Sequence, residues 1–116
     1  MNADDSAAGL RRLQAQAIEI RELYDQLNLS QRGRTWTTEE YMLGFVGDVG
    51  DLAKLVMAQE GARDMPGGRR ALGHELADCL WSVLVLATAC RIDLYEEFQR
   101  TMDELSSAIR LQLDGS

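Results

Sequence analysis

Asp48 and Asp51 lie three residues apart, and so do Glu75 and Asp78. On a helix that spacing stacks two carboxylates on one side, where they repel unless solvent or a cation compensates them. Asp48 also falls within the apolar series Tyr41, Phe45, Leu52 and Leu55, where a hydrophobic residue belongs. Glu75 and Asp78 border a second series, Leu72, Leu76, Cys79 and Val83. If the two helices are antiparallel neighbours, all four carboxylates converge. Oxygen-only ligands suit Mg²⁺ or Mn²⁺ rather than zinc. A di-iron centre would need Glu-x-x-His motifs, and the sole histidine, His74, does not supply one. Mg²⁺ held by carboxylates completes its shell with water and phosphate oxygens, which points to a phosphate substrate. The competing reading of each pair is a solvated helix face.

Other residues offer themselves to the same chemistry. Arg32, Arg34 and Trp36 precede the first acidic pair. Two guanidinium groups and an indole in a loop would clamp a triphosphate and stack a base; the alternative is that Trp36 anchors the start of the next helix. Lys54, three beyond Asp51, would reach a phosphate or pair with an acid. Trp81 lies in an apolar run and reads as core or interface. Gly67-Gly68-Arg69-Arg70 is not a phosphate-binding P-loop, because the Lys-Ser/Thr and the preceding strand are missing. Gly44, Gly47 and Gly50 each cost a helix roughly 0.5–1 kcal/mol relative to alanine, so either a helix or a ligand is expected close against them.

Four helices are needed to position these groups. Apolar residues at three- and four-residue steps, Leu10, Leu13, Ala17, Ile20, Tyr24 and Leu27, predict a first helix from about Ala7 to Leu27. A polar break runs from Asn28 to Thr37. Thr37-Thr38-Glu39-Glu40 has the form of a capping box, so a second helix starts near Thr38 and reaches about Glu60. A loop through Gly61 and Met65-Pro66-Gly67-Gly68 leads to a third helix, about Arg69 to Cys90. Asp93-Leu94-Tyr95-Glu96 offers a second capping box, opening a fourth helix that ends near Leu113. A chain of 116 residues makes a single domain, with residues 1–6 and 114–116 expected as flexible ends. The fold class is therefore an all-α four-helix bundle. The third helix is apolar on nearly every face from Cys79 onward, which so short a chain struggles to surround. Completion of the bundle by a homodimer, or a dimer of dimers, is expected.

Nineteen acids against twelve bases leave a net charge of −7, so no nucleic-acid polymer is expected as a partner. The apolar run from Cys79 to Cys90 is shorter than the ~20 residues of a bilayer span, and no basic-then-apolar leader opens the chain. No membrane association and a cytoplasmic location are expected. Cys79 and Cys90, too far apart on one helix to bridge, read as buried hydrophobes.

Val46-Gly47-Asp48-Val49-Gly50-Asp51-Leu52-Ala53, followed by Glu75-Leu76-Ala77-Asp78, resembles the MazG-like all-α nucleoside triphosphate pyrophosphohydrolases. The signature of that family is a Glu-x-x-Glu pair on one helix and Glu-x-x-Asp on the next. The likeness is closest to its dCTP pyrophosphatase branch and covers about Trp36 to Met102. It implies hydrolysis of a nucleoside triphosphate to the monophosphate and pyrophosphate, with Mg²⁺ bound by Asp48, Asp51, Glu75 and Asp78. There are departures. Asp48 and Asp51 stand for glutamates one methylene longer. Thr101 and Leu105 replace a lysine and an asparagine of that branch, so its preference for dCTP does not carry over. The alternative to an enzyme is a degenerate relative that binds a nucleotide or a protein partner without hydrolysis.

Overall fold

A computed structural model describes residues 3–61 and 67–115 of the chain. Among them are four helices and no strand: α1 (Ala3–Arg32), α2 (Thr38–Gln59), α3 (Gly68–Ala89) and α4 (Leu94–Asp114). Of the predicted loop, Met65 and Pro66 lie outside the described residues.

Local chemistry sets the helix ends. At α2 the capping box is complete: Thr37 Oγ1 accepts from the Glu40 amide at 3.1 Å, and Glu40 Oε1 accepts from the Thr37 amide at 3.0 Å. Arg34 donates to both oxygens of the same carboxylate, at 2.7 and 2.8 Å. That guanidinium fork, with the Thr37 amide, holds the Glu40 carboxyl down to about 2. At α4 the box is half made. Asp93 accepts from the Glu96 amide at 3.2 Å, and its carboxyl is lowered by that bond and by Arg11, 3.3 Å away.

The first helix is longer than predicted. It begins at Ala3 and runs through Asn28 to Arg32, so the polar break is confined to residues 33–37. Polar composition misleads there because Asn28 is turned inward, 3% exposed, with Oδ1 accepting from Arg32 one turn later at 3.1 Å. Gly33, at φ +75°, ends the helix in the left-handed conformation that glycine adopts freely.

Packing is centred on α3, which lies along α2 and, over a shorter length, along α1. The core gathers Ala17, Tyr41, Leu84 and Val85, flanked by Leu10, Trp36, Trp81 and Leu94. Although α3 is long and apolar enough to cross a bilayer by length and composition, unlike the shorter run read from sequence, it is the core helix, with Ser82, Leu84, Val85 and Ala87 buried. Its apolar surface is not wholly covered, since Leu76 and Leu80 remain exposed. The cysteines correct a second expectation. Cys79 is half-buried and Cys90 is exposed, because the latter falls at the helix end beside the turn.

The fourth helix projects. None of its residues is buried, and beyond Leu94 it lies along no other helix. The radius of gyration is accordingly 17.8 Å, against about 13 Å for a compact chain of this length. One chain thus supplies four helices but closes only three of them on each other.

Candidate functional site

Antiparallel packing of α2 and α3 brings the predicted acids together. Asp48 and Asp51 project from α2 and Glu75 from α3, and one carboxylate oxygen of each lies within 4.8 Å of the others. An octahedral ion with ~2.1 Å bonds spaces its ligands by roughly 3.0 Å in cis and 4.2 Å in trans, so little closure is needed. Asp78, the fourth predicted ligand, is held differently. Its Oδ2 pairs with His74 Nε2 at 3.1 Å, one turn back along α3.

The electrostatics of the cluster are unrelieved. Among the described residues, no hydrogen bond or ion pair reaches Asp48, Asp51 or Glu75, and Glu75 Oε2 is a buried oxygen without a partner. Desolvation, followed by Asp78 and Asp51, raises the Asp48 carboxyl above its ordinary value. Glu75 is raised for the same first reason, then by Asp78, Asp48 and Asp51. The field extends to Cys79, whose thiol is pushed up by burial and then by Asp48, Glu75 and Asp78, leaving it protonated and unreactive. An orphaned buried carboxylate oxygen in an all-oxygen donor set fits a hard divalent cation such as Mg²⁺ or Mn²⁺.

Asp48 and Asp78 border a groove of about 570 Å³. Its lining includes Asp48, Asp78 and His74 together with the rings of Tyr24, Trp36, Tyr41 and Trp81, and Gly44, Ala77 and Ser82. The rings brace one another. Tyr24 and Trp36 are stacked, with centroids 6.2 Å apart and planes at 13°. Tyr41 meets Trp36 and Trp81 edge-on at 5.4 and 5.9 Å. Trp81 Nε1 donates to the Ala17 carbonyl at 3.0 Å, and Tyr41 donates to Asp25 at 3.2 Å beneath the Arg21 guanidinium, 4.9 Å from the ring. With the polar atoms of Tyr41 and Trp81 satisfied elsewhere, those rings offer apolar surface to the groove.

No known protein family, characterised protein or solved structure matches the chain in comparison. The chemistry of the site therefore stands on its own geometry.

The proposed phosphate-binding side chains are placed apart from it. Arg34 is committed to Glu40, Arg32 donates to Asn28, and Lys54 is exposed on α2; none of the three lines the groove. Trp36 does line it while also packing on the core, so both readings of that residue describe one position. Trp81 likewise belongs to core and groove together. Sequence reasoning passed over Tyr24, Tyr41 and Ser82 because each sits in an apolar series. The available signal was aromatic: Tyr24, Tyr41 and Trp81 on three helices, and Trp36 just before the second.

Proposed function

We propose that this chain is a Mg²⁺-dependent nucleoside triphosphate pyrophosphohydrolase that releases a nucleoside monophosphate and pyrophosphate, acting in nucleotide-pool housecleaning. The observation that carries the reading is the three-acid cluster, whose Asp48 also lines an aromatic groove. The acids suit a cation and its phosphates, and the rings suit a planar base. The resemblance of the two acidic motifs to the MazG-like enzymes supports the same reaction.

Asp48, Asp51 and Glu75 would hold the metal, joined by Asp78 once it turns from His74. Bound Mg²⁺ would neutralise the triphosphate and favour departure of pyrophosphate. The aromatic wall orients the nucleoside by stacking, which fixes the α-phosphorus relative to the acids. One of the four carboxylates would accept the proton of the attacking water. A homodimer or dimer of dimers in the cytoplasm is the setting proposed for this activity.

A second reading rests on the short Asp48 and Asp51 side chains and on the pairing of Asp78 with His74. Together they would leave a nucleotide- or partner-binding protein that does not turn over.

The deciding experiment incubates the pure protein with canonical and modified NTPs and dNTPs, with Mg²⁺ and then Mn²⁺, and measures pyrophosphate. Release with any pairing supports the enzyme. Calorimetric nucleotide binding without release supports the binder, and neither result removes both readings.

A further inference from the structure

The four rings that line the groove close into a circuit of contacts. Tyr24 meets Trp36 at 6.2 Å and Trp81 at 5.7 Å, and Tyr41 meets the same two indoles at 5.4 and 5.9 Å. The face of an aromatic ring is negative, and a cation within about 6 Å of its centre is drawn to it. Tyr41 already shows this attraction. The Arg21 guanidinium lies 4.9 Å from its centroid, and Arg21 does not line the groove.

Charge in the groove agrees with the rings. Among the described residues that line it, Asp48 and Asp78 are acids, His74 is paired with Asp78, and there is no lysine or arginine. The four carboxylates of α2 and α3 outweigh one divalent ion, so bound Mg²⁺ would leave the site negative. Groups able to read the edge of a neutral base are few. No asparagine or glutamine lines the groove, the Tyr41 hydroxyl donates to Asp25, and the Trp81 indole donates to the Ala17 carbonyl. The ionised carboxylates only accept.

Resting on the nucleotide reading above, we infer that this groove selects nucleotides whose base carries a positive charge, as an adenine methylated at its N1 ring nitrogen does. Methylation there removes an acceptor and spreads a charge over the ring, while the exocyclic amino group still donates to a carboxylate. Such a base gains from the ring faces an attraction that a neutral base lacks, and no cationic side chain of the lining competes for it.

Gly44 gains a role in the same selection. It lines the groove on α2, one turn from both Tyr41 and Asp48. A Cβ added there would meet nothing within 4 Å, so no close neighbour inside the chain explains the glycine. An occupant of the groove does, because a side chain at that position would enter the space it fills.

Titration of the metal-free protein, followed by tryptophan fluorescence, separates charge from shape. 1-Methyladenosine is cationic at neutral pH, whereas its isomer N6-methyladenosine is neutral. The first should bind about tenfold more tightly or better. Trp36→Leu, with helical circular dichroism intact, should cut that preference to about threefold or less, and Trp36→Phe should keep most of it. Gly44→Leu should weaken both nucleosides by about tenfold or more. Equal affinity for the isomers, binding of neither, or either variant behaving as wild type would overturn the inference. Neither nucleoside carries a phosphate, so turnover is tested apart. Preference for the cation without pyrophosphate release from its triphosphate would leave charge selection in a binder. Release from ATP with no preference between the isomers would leave the enzyme and remove charge selection.

Discussion

The α2–α3 pair and α4 are built from similar material and meet opposite fates. Both regions are capped helices with regular apolar series. In the pair, those series face each other and α1, and the residual cost is a cluster of carboxylates left between them. In α4 the series is cleaner, with every charge on the far side, yet nothing among the described residues buries it. Amphipathic patterning therefore states that a helix has a partner but not whether the partner lies in the same molecule. The polar intrusion is the more informative signal. Asp48 breaks an apolar series at a measurable electrostatic cost, whereas the α4 stripe breaks no rule.

The sharpest way to separate the regions is to remove charge from the first. Glu75→Gln keeps the shape and deletes the anion whose Oε2 is buried without a partner. Turnover should fall by about 10³-fold or more, as expected when a metal-holding carboxylate is lost. Metal-free thermal stability should instead rise by roughly 2–5 °C at neutral pH. The sign follows from the raised carboxyl. The folded state binds the proton more tightly than the unfolded chain, so stability falls as pH rises from the ordinary carboxylate range through the raised value. The gain from Glu75→Gln should accordingly vanish in acid. Glu40 and Asp93 act in the opposite sense: their lowered carboxyls contribute stability that is present at neutral pH and lost on acidification. A melting series from neutral pH to acid, with and without Mg²⁺, measures both trends, and a wild-type melting temperature unmoved by Mg²⁺ would break the metal reading.

Cavity mutations probe the same contrast through packing. Leu84 is 4% exposed in the core, and Leu84→Ala should cost about 3 kcal/mol in chemical denaturation. Leu105→Ala removes the same atoms from the α4 stripe and should cost less than about 0.5 kcal/mol at protein concentrations low enough to keep copies apart. Equal costs at high dilution would mean that α4 already has a partner within its own chain.

Helix caps give a smaller difference of the same kind. Thr37→Ala breaks a reciprocal box that the Arg34 fork also braces, and should cost about 1 kcal/mol. Asp93→Ala removes one amide contact and an exposed pair with Arg11 but no reciprocal box, so it should lower the melting temperature less. The reverse order would show that α4 depends on its start more than α2 does.

The helices and the acidic cluster were legible in the sequence for one reason: both are written in short-range spacing. Thr37 and Glu40, or Glu75 and Asp78, fall within a single turn of each other, and the capping box and the carboxylate pairs need little beyond that. What was not legible depends on long-range contact. Asn28 reads as a helix breaker until its burial is known. Tyr24 and Tyr41 read as core until the groove shows their other faces. Arg32, Arg34 and Lys54 read as phosphate ligands because their charge suggests it, but direction is set by neighbours, and Glu40 claims Arg34 first. Asp78 illustrates the same limit at close quarters. Its spacing from Glu75 is right for a shared ion, while one oxygen pairs with His74, also one turn away.

The turn between the two regions provides the finest test. The α3 C-terminus closes with the Ile92 amide donating to the Ala87 carbonyl at 2.9 Å and the Arg91 amide to Thr88 at 3.1 Å. This paired bonding requires a left-handed residue between, normally glycine, and Arg91 occupies it at φ +58°. A side chain there costs about 1 kcal/mol or more, partly offset because glycine is freer in the unfolded chain. Among the described residues Arg91 forms no ion pair that its removal would forfeit. Arg91→Gly should therefore raise stability by about 0.5 kcal/mol, or a few degrees of melting temperature. It should leave pyrophosphate release unchanged, since the turn lies at the opposite end of α3 from Glu75. A loss of stability would mean that the arginine stem packs against α1 strongly enough to outweigh the backbone strain, and the direction in which α4 leaves the bundle would then depend on that contact.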